Sequence, residues 1–121
     1  MNTLRLVCFL VGVAVAGANG GNLVSNAPAS AAKKRNPFEG DEKAQRAGAK
    51  LYTRECASCH GSSRQGLGNA PPLNQPGVSE AAPGKLFWVL RNGSLHRGMP
   101  SFAHLPEAQR WQIITFLRTG T

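Results

Sequence analysis

Two thiols three positions apart, followed at once by an imidazole, make up Cys56-Ala57-Ser58-Cys59-His60, and no other stretch restricts the chain as tightly. The pattern fits covalent haem attachment. Within one helical turn the spacing sets both sulfurs along one edge of a haem, each to form a thioether at one vinyl group, with His60 below the iron. Other readings of these cysteines fit less well. A zinc site needs two more ligands, yet His96 and His104 are eight apart, where a finger spaces its histidines by three to five. The third cysteine, Cys8, falls in a segment read below as removed. A thioredoxin-like redox pair wants strands around it, and helix signals stand on both sides here. A disulfide between Cys56 and Cys59 alone closes too small a loop to stabilise much.

The flanking pattern is helical. Asp41 offers an N-cap and Glu42 an acid in the first turn. Ala44, Ala47, Gly48, Leu51 and Tyr52 then share one face of a helix running to about Arg54. Gly48 weakens that helix relative to Ala, which predicts close approach of another backbone. Lys43, Arg46, Lys50 and Arg54 form a second stripe, read as a solvated face. Residues 61–72 are too rich in Gly and Pro for regular structure and read as a loop around a cofactor edge. Residues 84–92 read as a short helix with Pro83 near its start and Asn92-Gly93 as its stop. Leu86, Phe87, Val89 and Leu90 face the pocket; Trp88 is either there or half-exposed. A last helix starts near Pro106 and Glu107, with Leu105 where a capping Ser or Thr usually stands. Its Trp111, Ile113, Ile114, Phe116 and Leu117 cover more than half the circumference, and Gly120 stops it.

Cys56 to Gly61, Pro71-Pro72-Leu73, Arg91-Asn92-Gly93, Gly98-Met99-Pro100 and the helix from Trp111 to Leu117 occur in an order that resembles a class I monohaem cytochrome c of the small bacterial type. The likeness spans roughly residues 41–121, an ordinary domain size. It implies an all-α fold whose N- and C-terminal helices pack across each other around one covalent haem c, with Trp111 as the aromatic lying across Gly48. It also implies thioethers at Cys56 and Cys59, His60 and Met99 as axial ligands, and the Pro71 carbonyl as acceptor for the second ring nitrogen of His60, with Pro72 as substitute. Leu73 would pack on the ring. Apart from the initiator, Met99 is the sole methionine. Its other reading is a gap-filling core residue. His96 and His104 are rival sixth ligands that would give a lower-potential, bis-histidine centre, although both read better as surface groups.

At 121 residues the chain has room for one domain. Met1 to Arg5, the apolar run from Leu6 and the small-residue pattern Ala16-Gly17-Ala18 predict a signal peptide over residues 1–18. The run is too short to span a bilayer, which takes about 20 residues. Cys8 lies too early for a lipid anchor. Residues 19–40, with little to bury, read as a flexible leader whose Lys33-Lys34-Arg35 triplet is solvated. Residues 41–121 are the domain, and roughly 80 residues are marginal for a protein-only core, a deficit that a buried haem fills.

Fourteen Lys and Arg against six Asp and Glu give a formal charge of +8. The chain stays basic after Arg5 leaves and two propionates arrive. Without an aromatic-basic motif this excess suits acidic protein partners better than nucleic acid. The implied function is a periplasmic one-electron carrier, soluble or peripherally membrane-associated, with no transmembrane segment in the mature chain. Its implied partners are redox proteins such as a dehydrogenase, a cytochrome bc-type complex or a terminal oxidase. No nucleophile-base pair or carboxylate dyad appears, so an enzyme is not expected. Were Met99 a weak ligand or none, the same scaffold would suit a haem-based ligand sensor or a peroxidase-like protein.

Overall fold

Asp41 starts the first long helix by accepting hydrogen bonds from the backbone N–H groups of Lys43 at 2.8 Å and Ala44 at 3.0 Å. This is a side-chain N-cap. In the computed structural model, which describes residues 23–119, the elements are α1 (Leu23–Asn26), α2 (Glu42–Glu55), α3 (Ala57–His60), α4 (Pro76–Ser79), α5 (Pro83–Asn92) and α6 (Glu107–Leu117). Short 3-10 turns lie at Ala29–Lys33 and Leu95–Arg97. Isolated bridges at Leu67–Ala70 and Ser94–Met99 are the only β-type pairings among the described residues. The fold is all-α. The predicted signal peptide and the Gly120 stop lie outside the described residues.

α2 buries Ala44, Gly48, Leu51 and Tyr52, and its opposite face leaves Lys43, Arg46, Lys50 and Arg54 exposed. The buried stripe lies against α6. A Cβ on Gly48 would stand 1.9 Å from the Gln112 carbonyl oxygen and 2.9 Å from Phe116 Cβ, so only glycine lets the two helices touch there. Phe116, and not Trp111, is therefore the aromatic at this crossing; it also meets Tyr52 with ring centroids 5.4 Å apart. Gln112 and Phe116 are four apart and share a face, whereas Trp111 is turned about 100° away. Trp111 faces α5 instead, stacking on Phe87 at 4.2 Å between centroids.

α6 is capped by Pro106, without a side-chain hydrogen bond, one residue beyond the cap place assigned to Leu105. Leu105 is buried in the core. Among the buried residues of α6 is Arg110, whose Nε donates to the Leu105 carbonyl at 3.2 Å and whose guanidinium lies 4.5 Å over the Phe87 ring. Trp88 on α5 is half-buried.

Residues 23–40, read from composition as a flexible leader, instead lie along α5 and reach α6. The carbonyl oxygens of Ala31 and Lys34 approach α5 so closely that a Cβ on Gly84 would stand 2.0 Å and 2.6 Å from them. Asn36 is buried and donates to Thr115 Oγ1 at 2.9 Å. Lys33, Lys34 and Arg35 are exposed, as expected of a solvated triplet, and Lys34 in addition holds its ammonium 4.1 Å from the Phe87 ring centroid and 3.1 Å from Glu107 Oε1. The segment is fastened by these polar and backbone contacts together with buried Ala27 and with Val24 and Phe38 against the core, none of which carries a sequence period.

Candidate functional site

The site begins where α2 breaks. Cys56 leaves helical geometry at φ −120° and caps α2 and α3 at once. Its carbonyl accepts from the N–H groups of Cys59 at 3.2 Å and His60 at 2.9 Å, closing the turn that carries the second thiol and the imidazole. Cys56 is buried while Cys59 is exposed. Burial, with the Glu55 carboxylate and the neighbouring Cys59, pushes the Cys56 thiol up to about 12.

His60 is half-buried, with Nδ1 2.8 Å from the carbonyl oxygen of Pro71. A carbonyl only accepts, so Nδ1 carries a proton, and in the neutral ring the lone pair is then on Nε2. This is the tautomer a metal-binding imidazole needs, with its orientation set by the partner of the other nitrogen. The Pro71 loop is tied down close by: Gly66 N–H donates to the His60 carbonyl at 2.7 Å, and Leu73 N–H to that of Arg64 at 2.8 Å. The Tyr52 hydroxyl donates to the Gly61 carbonyl at 2.7 Å. Burial, followed by the nearby Cys56, pushes the Tyr52 hydroxyl up to about 12, against the opposing pull of Arg64.

Met99 sits in a loop closed by its own backbone, which exchanges hydrogen bonds with Ser94 at 2.8 Å and 3.0 Å. Phe102 N–H donates to the Leu90 carbonyl at 2.8 Å, fixing the loop to the end of α5. The Met99 side chain is half-buried and packs against the same apolar cluster that contains Cys56, Leu86, Leu90 and Phe102. Leu73 packs on that cluster too. His96 and His104 are both exposed, and His96 Nδ1 lies 3.3 Å from Ser94 Oγ. The fold thus gathers Cys56, Leu73 and Met99 around one core and bonds His60 to Pro71, while the two rival histidines stay at the surface.

Two side chains at this site carried no motif in the sequence. Tyr52 read only as a member of an apolar stripe, yet its hydroxyl holds the residue after His60. Arg64, buried at 5% exposure, read only as part of a loop. Its one sequence signal is isolation: no other Lys or Arg occurs between Arg54 and Lys85.

An all-helical domain whose first long helix breaks into a Cys-X-X-Cys-His turn, with the imidazole tautomer set for a metal, is the architecture of a c-type cytochrome. The chain belongs to the family described as cytochrome c oxidase, cbb3-type, subunit III, whose model matches residues 43–117. No curated protein sequence and no solved structure matches the chain. Family membership makes the protein a monohaem c-type cytochrome, a haem-based electron carrier with covalently bound haem c. The residues present fit that group: two thiols at the attachment spacing, a histidine with Nε2 free, and an apolar core reached by a thioether.

Proposed function

We propose that this protein is an exported one-electron carrier in which Cys56 and Cys59 form the thioethers and His60 and Met99 fill both axial positions. Haem c supplies the one-electron couple; the chain supplies ligand choice, burial and access. The observation that carries the reading is the 2.8 Å contact between His60 Nδ1 and the Pro71 carbonyl, which presents Nε2 as a fixed, electron-rich donor. Met99 is favoured opposite it because it packs on the core while His96 and His104 are exposed. Its soft sulfur favours the reduced state and so raises the potential. With both positions filled, nothing remains open for a substrate or a gas.

Among the described residues no helix is long and apolar enough to cross a membrane. We place the mature protein in the periplasm, delivered by the signal peptide of residues 1–18. Its partners are redox proteins with acidic docking surfaces, among them dehydrogenases, cytochrome bc-type complexes and terminal oxidases, the last favoured by the family description. Arg91 and Arg97 are exposed beside the Met99 loop and suit such a surface. The test is carbon monoxide added to the reduced protein at neutral pH. An unchanged spectrum is expected; prompt formation of a carbonyl complex would instead indicate the sensor or peroxidase-like alternative.

A further inference from the structure

Arg64 is the only non-glycine residue with positive φ among the described residues, at +60°. That backbone region disfavours side chains and persists only where the surroundings impose it. What imposes it here is visible at both ends of the residue. Its N–H donates to the Gly61 carbonyl at 3.1 Å, and its carbonyl accepts from Leu73 N–H at 2.8 Å, so one residue joins the start of the loop to a point two residues past Pro71. Its side chain runs the other way. Nη1 donates to the carbonyls of Phe116 at 3.4 Å and Thr119 at 3.3 Å, at the C-terminal end of α6, and the guanidinium lies 4.7 Å from the Phe116 ring centroid. A cation satisfying the last carbonyls of a helix is favoured by the helix dipole as well as by the hydrogen bonds.

We infer that Arg64 is a positioning residue for the proximal ligand: it clamps the Pro71 loop to α6 and thereby holds the carbonyl that orients His60. The inference rests on the reading of His60 as an axial ligand. The Tyr52 hydroxyl on the Gly61 carbonyl holds the same loop from the α2 side, so the stretch after His60 is gripped by both terminal helices. Packing between α2 and α6 is in this way linked to the basicity of the His60 ring, because an Nδ1–H bonded to a carbonyl makes Nε2 a stronger donor. Any residue with a left-handed backbone here could shape the loop. Only a long side chain that donates can also reach the carbonyls of Phe116 and Thr119, and here the single Nη1 serves both.

The test uses the holoprotein and two variants. Arg64→Gly keeps the backbone conformation without strain and removes the clamp; Arg64→Asn tolerates the same left-handed backbone and is too short to reach Phe116 or Thr119. The readouts are solvent exchange of the His60 Nδ1–H resonance, hyperfine-shifted in the ferric protein, and the reduction potential. Arg64→Gly and Arg64→Asn should each exchange that proton at least tenfold faster than wild type and differ from wild type in potential. Wild-type exchange and potential in a folded Arg64→Gly protein would overturn the inference, whatever happens to its thermal stability. If Arg64→Gly does not fold, Arg64→Asn decides: exchange at the wild-type rate overturns the inference, and faster exchange supports it. Absence of the shifted resonance in wild type would sink the assignment of His60 as ligand, and the positioning role with it.

Discussion

Gly48 leaves no space for a methyl group between α2 and α6. Because the obstruction is the Gln112 backbone and not a movable side-chain tip, Gly48→Ala must push the helices apart. We expect a loss of about 1–3 kcal/mol, the usual range for overpacking, read as a lower guanidinium midpoint. An unchanged midpoint would mean that the crossing is looser than described. Tyr52, 1% exposed, offers a second test at this scale. Tyr52→Phe removes the hydroxyl donor and leaves the Gly61 carbonyl with the Arg64 N–H alone, at a cost of about 0.5–1.5 kcal/mol, the net worth of one hydrogen bond. The sign with pH follows from the raised hydroxyl: the folded state holds the proton more tightly than the unfolded state does. Its contribution is whole below about pH 10 and is lost as the pH rises towards about 12. Wild type should therefore lose more stability than Tyr52→Phe over that window, and parallel curves would remove Tyr52 as the titrating group.

The three long helices were legible in the sequence because α2 and α5 repeat an apolar period, α6 is apolar over more than half its circumference, and each carries an end signal: Asp41 before α2, Pro83 at α5 and Pro106 before α6. The attachment turn was legible because its chemistry is local to five residues. The packing of residues 23–40 was not, since it depends on two carbonyls against Gly84, one buried amide, one cation over an aromatic ring and the scattered apolar residues Val24, Ala27 and Phe38, and none of these repeats. Arg64 was hidden for a related reason. Its partners, Phe116 and Thr119, lie more than fifty positions away, and its backbone state depends on the loop it closes. The choice of Phe116 over Trp111 at the Gly48 crossing needed the rotational phase of α6, which the nearly continuous apolar surface of that helix does not reveal. At the scale of elements, Asn36→Ala tests whether residues 23–40 belong to the folded unit. It removes the bond to Thr115 and the bond from Phe38 N–H to Asn36 Oδ1. A loss of about 1–3 kcal/mol is expected for such buried bonds. A wild-type denaturation curve would return this segment to the role of a solvated leader.

For the whole molecule, the excess of basic residues makes encounter with an acidic partner dependent on salt, since exposed charges are screened beyond about 8 Å at physiological ionic strength. Arg97, near the Met99 loop, should contribute to that steering. Arg97→Glu is expected to cut the second-order rate with an acidic redox partner at low salt and to flatten its salt dependence in stopped-flow kinetics. Superimposable salt series for wild type and variant would remove Arg97 from the docking surface. Cys56 belongs to the core, Leu73 and Met99 pack against it, and one polar bond, from His60 to Pro71, sets the imidazole. The claim that this arrangement forms a His/Met-ligated carrier is tested most directly by the near-infrared spectrum of the ferric protein, with Met99→Ala beside it. The account predicts a sulfur-to-iron charge-transfer absorption in wild type that is lost in Met99→Ala, together with a lower potential; an absorption and potential unchanged by that substitution would contradict it.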